Sequence, residues 1–100
     1  MEYNKLVRDK IPDIIKEKGL VPITHIADDE EYWIKLKEKL AEEVDEFLKE
    51  DNEEELADIL EVIKAICEFK NINHLESLRE KKAEKRGSFK EKIILDEIKE

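Results

Sequence analysis

Two pairs of acids in this chain are spaced so that each pair falls on one side of a helix. Glu43 and Glu46 form one i,i+3 pair, and Glu55 and Asp58 form the other. Both lie in stretches with helical apolar periodicity, on faces where a core-facing helix normally avoids charge. With Leu40 at the centre of its stripe, Glu43 falls roughly 60° away and Glu46 roughly 120° away. Glu43 therefore lies inside the apolar sector beside Leu36 and Phe47, and Glu46 borders it. Glu42 and Asp45 are expected to point to the back. In the second stretch Glu55 sits among Ile59, Val62 and Ile66, with Asp58 at the border near Val62 and Phe69.

A short polar turn, Glu50-Asp51-Asn52, joins the two stretches, so they are expected to pack antiparallel. Residues at one height in such a hairpin share an index sum. Glu46 with Glu55 and Glu43 with Asp58 have the same sum, so the pairs should meet at two successive levels. Four converging, partly buried carboxylates repel one another unless something positive sits between them. Ligands that are all oxygen favour a hard cation, Mg²⁺ first, with Mn²⁺ as a substitute. Mg²⁺ commonly engages substrate phosphates, so a phosphate-containing substrate is expected. The plainer alternative has Lys39 neutralising Glu43 from one turn away. Glu55 would then decorate a helix N-terminus, where acids are favoured.

The elements that must position these acids can be read from turn signals. Pro12 marks a first helical turn, and Gly19 a stop. Val21 to Ile26 is β-branched and expected to be extended. Asp28 and Glu31 have capping-box spacing ahead of a helix from about Asp29 to Lys49, whose stripe is Trp33, Leu36, Leu40, Val44 and Phe47. A further helix, about Glu53 to Phe69, carries Leu56, Ile59, Leu60, Ile63, Ile66 and Cys67, and Asn71-Ile72-Asn73 ends it. Asn73 and Glu76 again have capping-box spacing, before a last helix that Gly87 stops. Residues 88–100 fit either a strand or a docked helical turn. The expected fold is mainly α. An antiparallel helical hairpin forms its core and assembles into a four-helix bundle, with an extended C-terminal segment left open.

Composition bounds the rest. Of 100 residues 47% are charged and 40% hydrophobic, enough for one small core, so residues 1–100 read as a single domain. No apolar run approaches the roughly 20 residues that span a bilayer, and no apolar signal core opens the chain. With a lone cysteine, Cys67, this points to a cytoplasmic protein. A net charge of −9 argues against nucleic-acid polymers as partners. The absence of Gln beside abundant Lys and Glu resembles heat-adapted composition. There is no Walker A loop, dinucleotide fingerprint or zinc spacing. Cys67, His25 and His74 read as structural or surface residues.

At its acids the chain resembles the all-α NTP pyrophosphohydrolases, the MazG and phosphoribosyl-ATP pyrophosphohydrolase-like superfamily. The family pattern of ExxE followed by ExxD is met by Glu43-Val-Asp-Glu46 and Glu55-Leu-Ala-Asp58. The wider phrases Lys-Leu-Ala-Glu-Glu-Val-Asp-Glu-Phe (39–47) and Glu-Leu-Ala-Asp-Ile-Leu-Glu-Val-Ile (55–63) match too. Asn4-Lys-Leu-Val-Arg-Asp-Lys-Ile-Pro12 and Lys85-Arg-Gly-Ser-Phe89 look like a small, single-domain, house-cleaning branch. One departure is that only eight residues separate Glu46 from Glu55, which narrows the space for a nucleobase between the helices.

The resemblance implies hydrolysis of a nucleoside triphosphate, in particular a noncanonical one, to monophosphate and pyrophosphate. Glu43, Glu46, Glu55 and Asp58 carry over as Mg²⁺ ligands. Glu43 and Glu46 count as catalytic, with Glu46 orienting or deprotonating the water that attacks the α-phosphorus. Lys5, Arg8, Lys10, Lys39, Lys82, Lys85 and Arg86 become candidates to hold phosphates, the two arginines best suited because a guanidinium grips phosphate bidentately. Individually, each is equally a surface salt bridge. Trp33 is a candidate to stack on a base, or a core residue of its stripe. Superfamily members pack such hairpins into dimers or tetramers, so a homo-oligomer is expected. The alternatives are phosphoribosyl-ATP pyrophosphohydrolase activity and a non-catalytic acidic helical module that docks a basic partner.

Overall fold

The computed structural model describes residues 3–100. Four helices follow one another: α1 (Ile11–Glu17), α2 (Asp29–Glu50), α3 (Glu53–Lys70) and α4 (Leu75–Arg86). Among the described residues there is no strand. No described helix is long and apolar enough to cross a membrane.

The hairpin that carries the acids is closed by local chemistry. Asp28 caps α2, its Oδ1 accepting the Glu31 N–H at 2.9 Å. Asp51 ends α2 in the left-handed region at φ 54°, and its N–H returns to the Phe47 carbonyl at 2.8 Å. Asn52 then caps α3 by accepting the Glu55 N–H at 3.1 Å. Two residues thus stop one helix, reverse the chain and start the next, which fixes the register. At the far end Asn71 adopts φ 56° and closes α3. Its cap differs from the expectation for α4: His74, not Asn73, precedes that helix, and no side chain caps it.

Packing between helices is concentrated between α2 and α3. Aromatic contacts confirm their antiparallel register. Phe69 meets the Tyr32 ring edge-on at 5.1 Å and stacks on Trp33 at 6.0 Å. The seam is thin. Among the described residues only Leu36 and Val62 are buried hydrophobics, and Glu43 is the buried polar residue beside them. Val44, Leu56 and Leu60, expected on the buried stripes, are exposed. Each is rotated past the seam, because a two-helix pair covers only one narrow sector of each helix.

The connecting and terminal segments carry no regular structure. Residues 20–28, expected to be extended, are in neither helix nor strand, and Val21, Ile23 and Ile26 are almost fully exposed. Residues 88–100 form neither strand nor docked turn. Beyond a turn at Phe89–Lys92 they run irregularly, with Phe89, Ile93, Ile94, Leu95 and Ile98 in solvent. The radius of gyration is 18.3 Å, against about 13 Å for a compact chain of this length.

Candidate metal centre

The register brings the acids together as their index sums require. One carboxylate oxygen from each of Glu43, Glu55 and Asp58 lies within 4.8 Å of the other two. Glu43 reaches the site from the middle of α2, and Glu55 and Asp58 from the first two turns of α3. Glu46 falls outside this trio but stands near enough to Glu55 to help raise the pKa of its carboxyl. The structure therefore gathers three of the four expected ligands around one point and leaves the fourth at its edge.

Burial makes this cluster unlike the other acids of the chain. Glu43 is only 6% exposed. Lys39 Nζ sits 3.3 Å from its Oε1, so the predicted neutralising contact is present, but Glu43 Oε2 has no hydrogen-bond partner. Glu55 Oε2 is likewise shut off from water and unpartnered. Burial of its carboxyl pushes the Glu55 pKa up, and the neighbouring Glu46, Asp58 and Glu43 push it the same way. A buried acceptor left without a partner is costly, so two at one point need an explanation.

A hard divalent cation fits that need. The donors are all carboxylate oxygens, the ligands that Mg²⁺ prefers, and they converge from two helices on one point. Glu43 Oε2 and Glu55 Oε2 are the free oxygens that would receive it.

The basic candidates divide into two groups. Arg8 Nη2 donates to Asp58 Oδ1 at 2.7 Å, and Lys5 Nζ donates to Glu42 Oε1 at 3.0 Å. Lys39 lies 3.4 Å from Glu42 and 3.3 Å from Glu43. These three line the acid cluster. Glu42, expected on the back of α2, is instead turned to this side. Burial opposes its charge, but the hydrogen bond from Lys5 and the nearby Lys39 hold its carboxyl below the ordinary range. Lys10 is exposed at the start of α1. Lys82, Lys85 and Arg86 are exposed on α4, which does not pack along the hairpin, and no ion pair among the described residues joins them to the acids. Within one chain they are not part of the site.

Trp33 is also elsewhere. It lies ten residues before Glu43 on the same helix, about 15 Å along the axis. Phe69 stacks on it, and the ammonium groups of Lys70 and Lys37 stand 4.3 Å and 5.1 Å from its ring centre. Its role is to pin the open end of the hairpin. Two shallow depressions, one beside Cys67 and Asn71 and one beside Asp28 and Ile34, also lie away from the acids.

Comparison with known proteins adds little to this geometry. No family model matches the chain, and no solved structure matches it. An uncharacterized protein of Mycolicibacterium smegmatis is 48% identical to it over 42 residues, 42% of this chain and 43% of that protein. The chain thus spans less than half the length of that relative.

Proposed function

We propose that the chain is a divalent-cation-dependent hydrolase that splits a nucleoside triphosphate, in particular a noncanonical one, into monophosphate and pyrophosphate. The observation that carries this reading is the pair of enclosed, partnerless oxygens, Glu43 Oε2 and Glu55 Oε2, on two acids that converge with Asp58. Mg²⁺, or Mn²⁺ in its place, supplies a Lewis acid that lowers the pKa of water and offsets charge on phosphoryl oxygens. Glu43, Glu55 and Asp58 would hold it.

Glu46 has a separate task. It stands next to the trio without joining it, so its carboxylate is free to orient a water and take its proton as the α-phosphorus is attacked. Arg8, Lys5 and Lys39 offer donors on the same side for phosphate oxygens. Phosphoribosyl-ATP belongs to the same substrate class. An acidic module that docks a basic partner is the weaker alternative, because docking gives no reason to bury Glu43 against the seam.

The thin core implies company. Val44, Leu48, Leu56 and Leu60 are exposed on one side of the hairpin, away from the acid cluster. A second copy packed there would complete a four-helix bundle and leave the acid side open to substrate. A nucleotide substrate places such an enzyme in the cytoplasm.

The test is a panel of nucleoside triphosphates with purified protein and Mg²⁺, assayed separately for pyrophosphate and orthophosphate. Metal-dependent pyrophosphate release, lost in Glu46→Gln and Asp58→Asn, is the expected result. No release across the panel, from protein that is folded and metal-loaded, removes the enzymatic reading.

A further inference from the structure

The segment before α1 crosses the hairpin on its acid side and is fastened there at three points. The Asn4 carbonyl accepts from Lys35 Nζ at 2.8 Å. Lys5 holds Glu42, and Arg8 holds Asp58 on the other helix. Residues 3–10 thus form a strap from α2 to α3, and its last anchor lands on one of the three converging acids.

Little else secures it. Tyr3 is 68% exposed, and of residues 3–10 only Leu6 is partly covered. The Arg8 side chain is 56% exposed and that of Asp58 36%. Ion pairs this open to water contribute little.

The cluster therefore has two resident cations of different kinds. Lys39 is largely enclosed, at 16% side-chain exposure, and belongs to α2 itself, one turn from Glu43. Its stem is packed and its backbone is fixed within the helix, so it has little room to withdraw. Arg8 sits on an irregular segment and can leave at small cost. A divalent ion among Glu43, Glu55 and Asp58 would repel both, and the removable charge is the one that yields.

We propose that Arg8 is a stand-in cation, which occupies Asp58 when no metal is present and is displaced, with its strap, when a divalent ion loads the cluster. This rests on the metal centre proposed above and adds an order of events to it. While Arg8 is bound to Asp58, its charge is spent inside the chain. Once displaced, the guanidinium stays tethered beside the ion with its donors free for an anionic group. Cation binding thereby precedes and prepares anion binding.

Two measurements on the full chain test this without relying on turnover. Free Mn²⁺ is followed by electron paramagnetic resonance during titration of the wild type, Arg8→Gln and Arg8→Lys. Backbone heteronuclear NOEs of residues 4–8 are recorded with and without Mg²⁺. Because Arg8 competes with the ion, Arg8→Gln should bind Mn²⁺ about two- to fivefold more tightly, with Arg8→Lys in between. Mg²⁺ should lower the strap NOEs in the wild type, and in Arg8→Gln they should already be low. Equal or weaker Mn²⁺ binding by Arg8→Gln, with a strap that stays ordered in Mg²⁺, overturns the proposal and makes Arg8 a residue that orients Asp58. Wild type that binds no Mn²⁺ overturns the metal centre itself, so the two failures are distinguished by the wild-type titration alone.

Discussion

Lys39 approaches Glu43 to 3.3 Å from one turn away on α2, yet satisfies only one of its two carboxylate oxygens. The ammonium is also shared with Glu42 at 3.4 Å. Lys5 and Lys39 offset Glu42 and Glu43, and Arg8 offsets Asp58, so Glu55, with Glu46 beside it, leaves the cluster net negative. The resident ion pair and a divalent ion are therefore complementary rather than competing explanations of Glu43.

Removing that charge should help the metal-free protein. Glu43→Gln keeps the size of the side chain and ends its repulsion with Glu55 and Asp58. Its melting temperature without divalent ions should rise by about 3–6 °C, the effect of somewhat under 1 kcal/mol in a domain of this size. Mg²⁺, which should raise the melting temperature of the wild type, should barely move that of the variant. Thermal scans at one protein concentration, with chelator and with Mg²⁺, check both statements.

Glu55 makes the same repulsion visible through pH. Its carboxyl is pushed above the ordinary value of 4.5, first by burial and then by Glu46, Asp58 and Glu43. The folded state then holds this proton more tightly than the unfolded state does. The resulting stabilisation is complete below the ordinary value and is lost as pH rises through the elevated one. Without metal, the difference in melting temperature between wild type and Glu55→Gln should widen over that interval as pH rises, with the wild type falling behind. Excess Mg²⁺ should abolish the widening.

The separation of Glu46 from the trio predicts a division of effects. Glu46→Gln should keep Mn²⁺ affinity within a fewfold of wild type and lower kcat by about 10²- to 10⁴-fold, the usual range for loss of a general base. Asp58→Asn should lose Mn²⁺ affinity first and activity as a consequence. Titration of Mn²⁺ beside steady-state kinetics separates the two; equal loss of affinity in both variants would place Glu46 among the ligands.

Association should depend on the apolar side of the hairpin. Leu60 is 66% exposed in the single chain, so Leu60→Glu leaves the fold of one protomer intact. Light scattering should show the wild type as a dimer or larger, and Leu60→Glu shifted toward monomer with unchanged helical circular dichroism. A monomeric wild type would remove the second copy from the account.

Much of this arrangement was legible in the sequence because helices impose a period. The apolar stripe placed Glu43 in the core sector, and one short turn fixed the register that joined it to Asp58. Capping by Asp28 followed from the same local chemistry. The strap was not legible in that way. Lys5 meets Glu42 and Arg8 meets Asp58 across 37 and 50 residues, and no periodicity encodes such contacts. The N-terminal basic cluster signalled only that some anion would hold it. Trp33 lay on the stripe as expected, but whether it met a base or Phe69 depended on the facing helix. Residues 88–100 carried enough apolar residues to suggest packing, but in the single chain Phe89, Ile93, Ile94, Leu95 and Ile98 stay in solvent.

The central claim is that three acids from two helices enclose one divalent ion. A crystal soaked in MnCl₂ and measured at a wavelength where manganese scatters anomalously tests it most directly. The account predicts an anomalous peak about 2.1–2.3 Å from oxygens of Glu43, Glu55 and Asp58, with Arg8 turned away from Asp58. Density for those carboxylates turned to solvent, with no peak between them at millimolar Mn²⁺, would contradict it.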